Sequence, residues 1–186
     1  MIKYSKIEEK DLDQIIKLYN EHLNSGQWIE ESIREGFQDR DYIGYKAECD
    51  GEIIGFFSGR SGIDFTYPHP DLEKRILQIA QGAAMYTPDA LLVLPHCRQK
   101  GVAHALISRM YQRMMQLHYK LAIVELWIYP DGTVPAQNPL TGLGKTIFSK
   151  RIPMFYQKSK QYEIQCPICG EDCKCGALIE IISLDA

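Results

Sequence analysis

Two stretches of this chain carry residues whose types and spacing could do chemistry. The first is Arg98-Gln99-Lys100-Gly101-Val102-Ala103. A strand-length apolar run, Ala90 to Leu94, closes at Pro95 just before it. Just after it, Val102, Leu106, Met110, Met114 and Leu117 recur at three- and four-residue steps. This change of period predicts a strand buried on both faces, a turn, and a helix starting near Gly101. A helix start offers free backbone N–H groups and the positive end of the helix dipole. Small residues there let an anion approach the backbone, and Arg98 and Lys100 add full positive charge. The segment is a candidate pocket for a pyrophosphate. It has neither the three glycines of the dinucleotide fingerprint nor the Gly-Lys-Ser/Thr of a P-loop.

The second stretch is Cys166, Cys169, Cys173 and Cys175, spaced C-x2-C-x3-C-x-C. In a reducing compartment such clustering points to metal before disulfides. Four thiolates suit a tetrahedral zinc with no open position for water, which makes the expected ion structural. Free thiols, disulfides and an iron–sulfur cluster are the competing readings. Elsewhere, Gly144-Lys145-Thr146 has the look of a P-loop end, but the first glycine of that motif would fall at Pro139, which has no N–H to offer. Cys97, His96 and His104 flank the candidate anion turn without a legible nucleophile–base spacing.

These residues need elements to position them. Residues 2–7 alternate weakly and read as an edge strand. Asp11 with Gln14 resembles a capping box, and Leu12, Ile15, Ile16, Tyr19 and Leu23 form the stripe of a first helix. A second helix is expected from Glu30 to Gln38. Asp50-Gly51 between Gly44–Cys49 and Glu52–Ser58 is a hairpin signal, since a tight turn of this kind needs positive φ at both centres. Residues 59–88 are broken by Gly and Pro around a helix from Leu72 to Gln81, with Asp71 as its cap. Leu121 to Ile128, LAIVELWI, reads as a strand parallel to the 90–94 run. A Pro- and Gly-rich stretch follows to residue 150. A late helix is expected over Ile152 to Lys160, and a closing antiparallel pair over Tyr162–Cys166 and Ala177–Leu184. The cysteine cluster would then sit in the hairpin tip, 166–176.

The pattern Val93-x-Pro95-x-x-Arg98-x-x-Gly101-x-Ala103 resembles the acetyl-coenzyme A loop of the Gcn5-related N-acetyltransferase (GNAT) family. The opening order of strand, helix, helix and hairpin is similar too. Phe155-Tyr156-Gln157-Lys158 followed by Gln161-Tyr162-Glu163-Ile164 resembles the family's F-Y-E-K-x-G-F stretch without its glycine. The resemblance implies a single α/β acyl-CoA N-acyltransferase domain over residues 1–186: a mixed central sheet flanked by helices, with a Cys-rich hairpin at its C-terminal end. Residues 59–88 and 129–150 then stand as insertions, either tolerated surface loops or a wall over the acceptor site. By the same resemblance, Leu92, Val93, Leu94, Arg98, Gln99, Lys100, Gly101, Val102 and Ala103 hold acetyl-CoA, with the backbone N–H near Leu94 polarising the thioester carbonyl. Tyr156 protonates the departing sulfur. A general base is sought near the central strand. Asp89 is the nearest carboxylate, at the expected strand start, where it also reads as a turn residue after Pro88. Glu125 would be costly to bury unpaired within its apolar run, unless it faces solvent.

Composition bounds the partners. The chain has 186 residues, enough for a core that needs no staples. Its formal net charge is −3, from 21 Lys and Arg against 24 Asp and Glu, so a broad nucleic-acid surface is disfavoured. No apolar stretch has the length of a membrane span, and no signal peptide is legible, so the cytosol is the expected compartment. The expected reaction is acetyl transfer from acetyl-CoA to a primary amine of a small molecule or peptide; a homodimer is compatible. The alternative is a non-catalytic module that senses acyl-CoA and binds a partner through a zinc-stabilised end.

Overall fold

The computed structural model describes residues 1–136, 144–157 and 164–185. Among them, seven strands form a single mixed sheet. The strands are β1 (Lys3–Lys6), β2 (Ile43–Cys49), β3 (Glu52–Ser61), β4 (Met85–Val93), β5 (Leu121–Ile128), β6 (Lys145–Ile152) and β7 (Gly176–Ser183). Their order is β1-β2-β3-β4-β5-β7-β6. The helices are α1 (Leu12–His22), α2 (Gln27–Gln38), α3 (Pro70–Ala80) and α4 (Val102–Gln116). Asp50 and Gly51 turn the β2–β3 hairpin at φ 53° and 86°, the positive values that the Asp-Gly pair predicts. Helix α1 begins where expected, but Asp11 does not cap it. The Asp11 carboxylate accepts the Glu8 N–H at 2.8 Å and pairs with the buried Lys46 ammonium at 2.5 Å.

Alternation along β5 and β7 sorts their side chains to two faces. Ala122, Val124, Leu126, Leu178 and Ile182 join the core that includes Val102, Leu106 and Met110 of α4. Leu121, Ile123, Ala177, Ile179 and Ile181 join the other, with Leu72 and Ile76 of α3, Phe155 and Tyr156. Both faces are covered, which is why these strands read as nearly unbroken apolar runs. Glu125 shares the parity of Ile123 and therefore points to the α3 side. On α4, Val102, Leu106, Met110 and Met114 are buried as predicted, but Leu117 follows the helix end and is 40% exposed.

Four expectations are corrected. Strand β4 starts at Met85, five residues earlier than the apolar run, so Pro88 and Asp89 lie within it. Against β3, Phe57 faces Leu91 and Gly59 faces Pro88: two steps on one strand match three on the other. The extra residue makes a bulge on β4, where a proline is tolerated. Helix α3 is capped by His69, whose Nδ1 accepts the Leu72 N–H, with Pro70 rather than Asp71 at the start. Residues 145–152 form edge strand β6, so the expected helix does not begin at Ile152; among the described residues a single helical turn, 155–157, follows, and residues 158–160 lie outside the described ones. Finally, β7 is flanked by β5 and β6, so both its edges are taken. Gln165 instead bridges Ser25, and Cys166 bridges Gly170, while Tyr162 and Glu163 lie outside the described residues.

Candidate active site

Strands β4 and β5 run parallel but pair only at Met85–Leu121 and Tyr86–Ala122. Beyond that point each continues for several residues without its neighbour, and the sheet splays. The opening is a cleft of about 530 Å³, lined by β4, β5, the start of α4, the α1–α2 junction and Tyr156. Which backbone groups face it follows from register. The Leu94 N–H donates to the Ile54 carbonyl at 2.9 Å, across to β3. Peptide groups alternate in direction along a strand, so Leu92 also faces β3, while Leu91 and Val93 turn their N–H and C=O toward the opening. Leu94, expected to polarise a carbonyl, is thereby committed elsewhere. The Arg98 Nε–H donates to the Val93 carbonyl at 3.0 Å and folds the anion turn back onto the strand end.

Gln99 and Gly101 both take positive φ, 60° and 78°. This lets the turn between Pro95 and α4 present the helix start to the cleft. A Cβ placed on Gly101 would meet nothing within 4 Å, so it is the positive backbone angle that asks for glycine there. Of the residues expected to hold a coenzyme, Leu92, Val93, Arg98, Gln99, Gly101, Val102 and Ala103 line the cleft; Leu94 and Lys100 do not. Cys97 and His104 also line it.

The three candidate catalytic residues all line the cleft. The Glu125 carboxylate is fully engaged. One oxygen accepts the Thr66 N–H at 3.0 Å; the other accepts the Thr66 hydroxyl and the Tyr156 hydroxyl, each at 2.6 Å. Burial pushes its pKa up, opposed by those three hydrogen bonds. The Tyr156 ring is wedged among Phe155, Trp127 and Tyr67, with centroids 5.1 to 6.1 Å away. Burial, then the Glu125 charge, raises its phenol well above the usual range. Asp89, on the β4 bulge, is solvent-exposed where it opens to the cleft. Desolvation by the surrounding walls, then the charge of Asp64, lifts its carboxyl to about 6, with Arg60 opposing. That value suits a base working near neutrality.

Sequence reasoning missed Tyr19, Asp64 and Thr66, all of which line the cleft. Tyr19 read as part of the α1 core stripe. Burial, then Asp89 and Glu125, raises its phenol as well. Asp64 is paired with Arg60 at 2.6 Å. Asp64 and Thr66 come from the first insertion, so that segment is a wall of the site and the anchor of Glu125. The one signal for it in the sequence was the cost of burying Glu125 alone, which demands donors without saying from where.

The sulfurs of the four clustered cysteines all fall within 4.8 Å of one another. Burial raises the thiol of Cys173 to about 11 and that of Cys175 further, while the Lys174 N–H holds Cys169 below its usual value.

A mixed sheet opened between two parallel strands, with an anion-ready helix start and ionisable groups lining the opening, defines an α/β group-transfer fold. The chain belongs to the GNAT acetyltransferase family: the family's sequence pattern, Acetyltransferase (GNAT) family, matches residues 10–138. A comparison with curated proteins finds no match. Among solved structures, Arabidopsis thaliana NAA60 in complex with acetyl-CoA is similar over 100% of both chains, at 14% identity and a TM-score of 0.68. The ribosomal-protein-S18-alanine N-acetyltransferase from Escherichia coli is similar over 100% of this chain and 96% of its own, at 14% identity and a TM-score of 0.65. Aminoglycoside 6'-acetyltransferase type Ii is similar over 99% of this chain and 98% of its own, at 14% identity and a TM-score of 0.61. These likenesses establish the fold. The family match ends before β6, Tyr156 and the cysteine cluster.

Proposed function

We propose that the protein transfers an acetyl group from acetyl-CoA to a primary amine by direct attack, without a covalent acyl-enzyme. The observation that carries this is one continuous cleft lined by an anion-ready helix start and by Asp89 and Tyr156. The similar fold of an acetyl-CoA-bound NAA60 supports it. In this reading the pyrophosphate rests on the N–H groups at the start of α4. Val93, next to that helix, bonds the pantetheine arm. Leu91, one cleft-facing position deeper, donates its N–H to the thioester oxygen as charge builds there.

The acceptor enters as an ammonium ion, drawn to Asp89 and Asp64. Asp89 removes its proton, and the neutral nitrogen attacks the carbonyl carbon. The tetrahedral intermediate loses its second nitrogen proton to solvent and breaks the C–S bond; the Tyr156 hydroxyl turns from Glu125 to give the departing sulfur its proton, and the phenol is reprotonated from solvent. Glu125 touches none of the reacting atoms. It accepts the hydrogen bond of the Tyr156 hydroxyl at rest and so holds the phenol oxygen in place, which makes it a positioning residue. The products are the N-acetylated amine, free coenzyme A and one proton.

The test is incubation with acetyl-CoA and a panel of polyamines, aminoglycosides, amino acids and peptides, following thiol release. Release well above hydrolysis with at least one amine is the expected outcome. Tight acetyl-CoA binding with no amine-dependent release across the panel would favour the non-catalytic sensing module instead.

A further inference from the structure

We infer that Cys166, Cys169, Cys173 and Cys175 bind one structural zinc ion, and that this ion holds two walls of the acceptor end of the cleft in place. The sulfurs are already gathered to metal dimensions. A tetrahedral zinc with bonds of about 2.3 Å sets its sulfurs about 3.8 Å apart. Here Cys169 and Cys175 are 3.7 Å apart, Cys166 and Cys175 are 4.0 Å apart, and all four sulfurs lie within 4.8 Å of one another. These separations are far beyond a disulfide bond of about 2.0 Å.

The backbone is shaped for the same purpose. Cys166 and Gly170 bond each other in both directions, N–H to C=O, at 3.2 and 2.8 Å. The tight turn they close has Gly170 at φ 70° and brings Cys169 round beside Cys166. Cys166, Cys173 and Cys175 are no more than 4% exposed. The cluster therefore forms a closed site with four protein ligands.

What the ion would hold is read from the backbone around it. The Cys175 carbonyl accepts the Tyr156 N–H at 3.2 Å and so fixes the turn that carries Tyr156. Gln165, next to Cys166, pairs in both directions with Ser25, at 3.2 and 3.0 Å. Ser25 follows Leu23 and Asn24, which line the cleft from the α1–α2 junction. Two cleft walls distant in sequence are thus tied to one sulfur cluster. The ion itself touches no substrate. The positioning half of the inference rests on the acetyl-transfer reading; the metal half does not.

The test begins with protein purified without chelator. Metal analysis should find about one zinc per chain, and cobalt exchanged into the site should show the thiolate charge-transfer bands of a tetrahedral sulfur site. Cys173→Ser should lose the metal, while Cys49→Ser, remote from the cluster in sequence, should keep it. If Cys173→Ser fails to fold, the cobalt spectrum and thiol count of the parent still decide. Folded parent protein without stoichiometric metal, with four titratable thiols or a disulfide in this segment, overturns the inference. Mild metal removal should lower turnover by about tenfold or more, the size of effect that lost supporting contacts produce, while acetyl-CoA affinity changes less than about twofold. Unchanged turnover after verified metal loss overturns the positioning half. A zinc-loaded parent that acetylates no amine leaves the metal site standing and counts against the proposed reaction alone.

Discussion

In the proposed reaction Asp89 and Tyr156 divide the proton work, and each makes its own prediction. The Asp89 carboxyl rises from an ordinary 3.8 to about 6 because the cleft walls desolvate it and Asp64 stands near. As a base it must be ionised, so turnover should climb as pH rises through about 6 and then level off. Its stability effect has the opposite sign. The folded state binds the proton more tightly than the unfolded chain does, so stability is lost as pH rises from about 4 to 6. Asp89→Asn should therefore raise the melting temperature above pH 6, lose that advantage below pH 4, and slow turnover. A melting temperature that follows the parent's at every pH would show that Asp89 carries no desolvation cost. Tyr156→Phe keeps the buried ring and removes the proton. Turnover should fall by about 100-fold, the usual scale of general-acid help, with acetyl-CoA binding intact. An unchanged rate, with chemistry shown to be limiting, would reduce Tyr156 to packing.

The decisive element is the turn from β4 into α4. Gly101 sits at φ 78°, where a β-branched residue is strained, and its missing side chain leaves the approach to the helix N–H groups open. Gly101→Val should weaken acetyl-CoA binding by at least about tenfold, from a backbone cost of about 1–3 kcal/mol plus lost space; affinity equal to the parent's by calorimetry would move the coenzyme elsewhere. This element was legible in the sequence because its signals are local: an apolar run, a proline, a change of period and a glycine. The same holds for the β2–β3 hairpin and for the length of β5. Strand β4 was read too short because Pro88 looked like a terminator, and only the register against β3 reveals the bulge that accommodates it. Strand β6 was missed because KTIFSKRI is a polar edge strand, with little burial to impose a pattern. Its pairing with β7 is long-range information.

At the scale of the whole molecule, the site exists because distant segments converge. The sheet splays after Tyr86 and Ala122; the first insertion supplies Thr66 to Glu125; a turn after β6 supplies Tyr156. Glu125, Tyr156 and Asp89 could each be named from the sequence, and the family resemblance gave Tyr156 its expected role, but which carboxylate serves as the base could not be assigned. That Glu125 is held by three donors, and that Asp89 is open to the cleft, depends on contacts between residues 31 to 59 positions apart and on a bulge. The most direct measurement is a crystal structure with acetyl-CoA bound. It should show the pyrophosphate on the first N–H groups of α4 and the pantetheine between the splayed strands. The thioester oxygen should face the Leu91 N–H, with the sulfur within reach of the Tyr156 hydroxyl. A coenzyme bound outside the β4–β5 opening, or a thioester turned away from both Tyr156 and Asp89, would contradict the account.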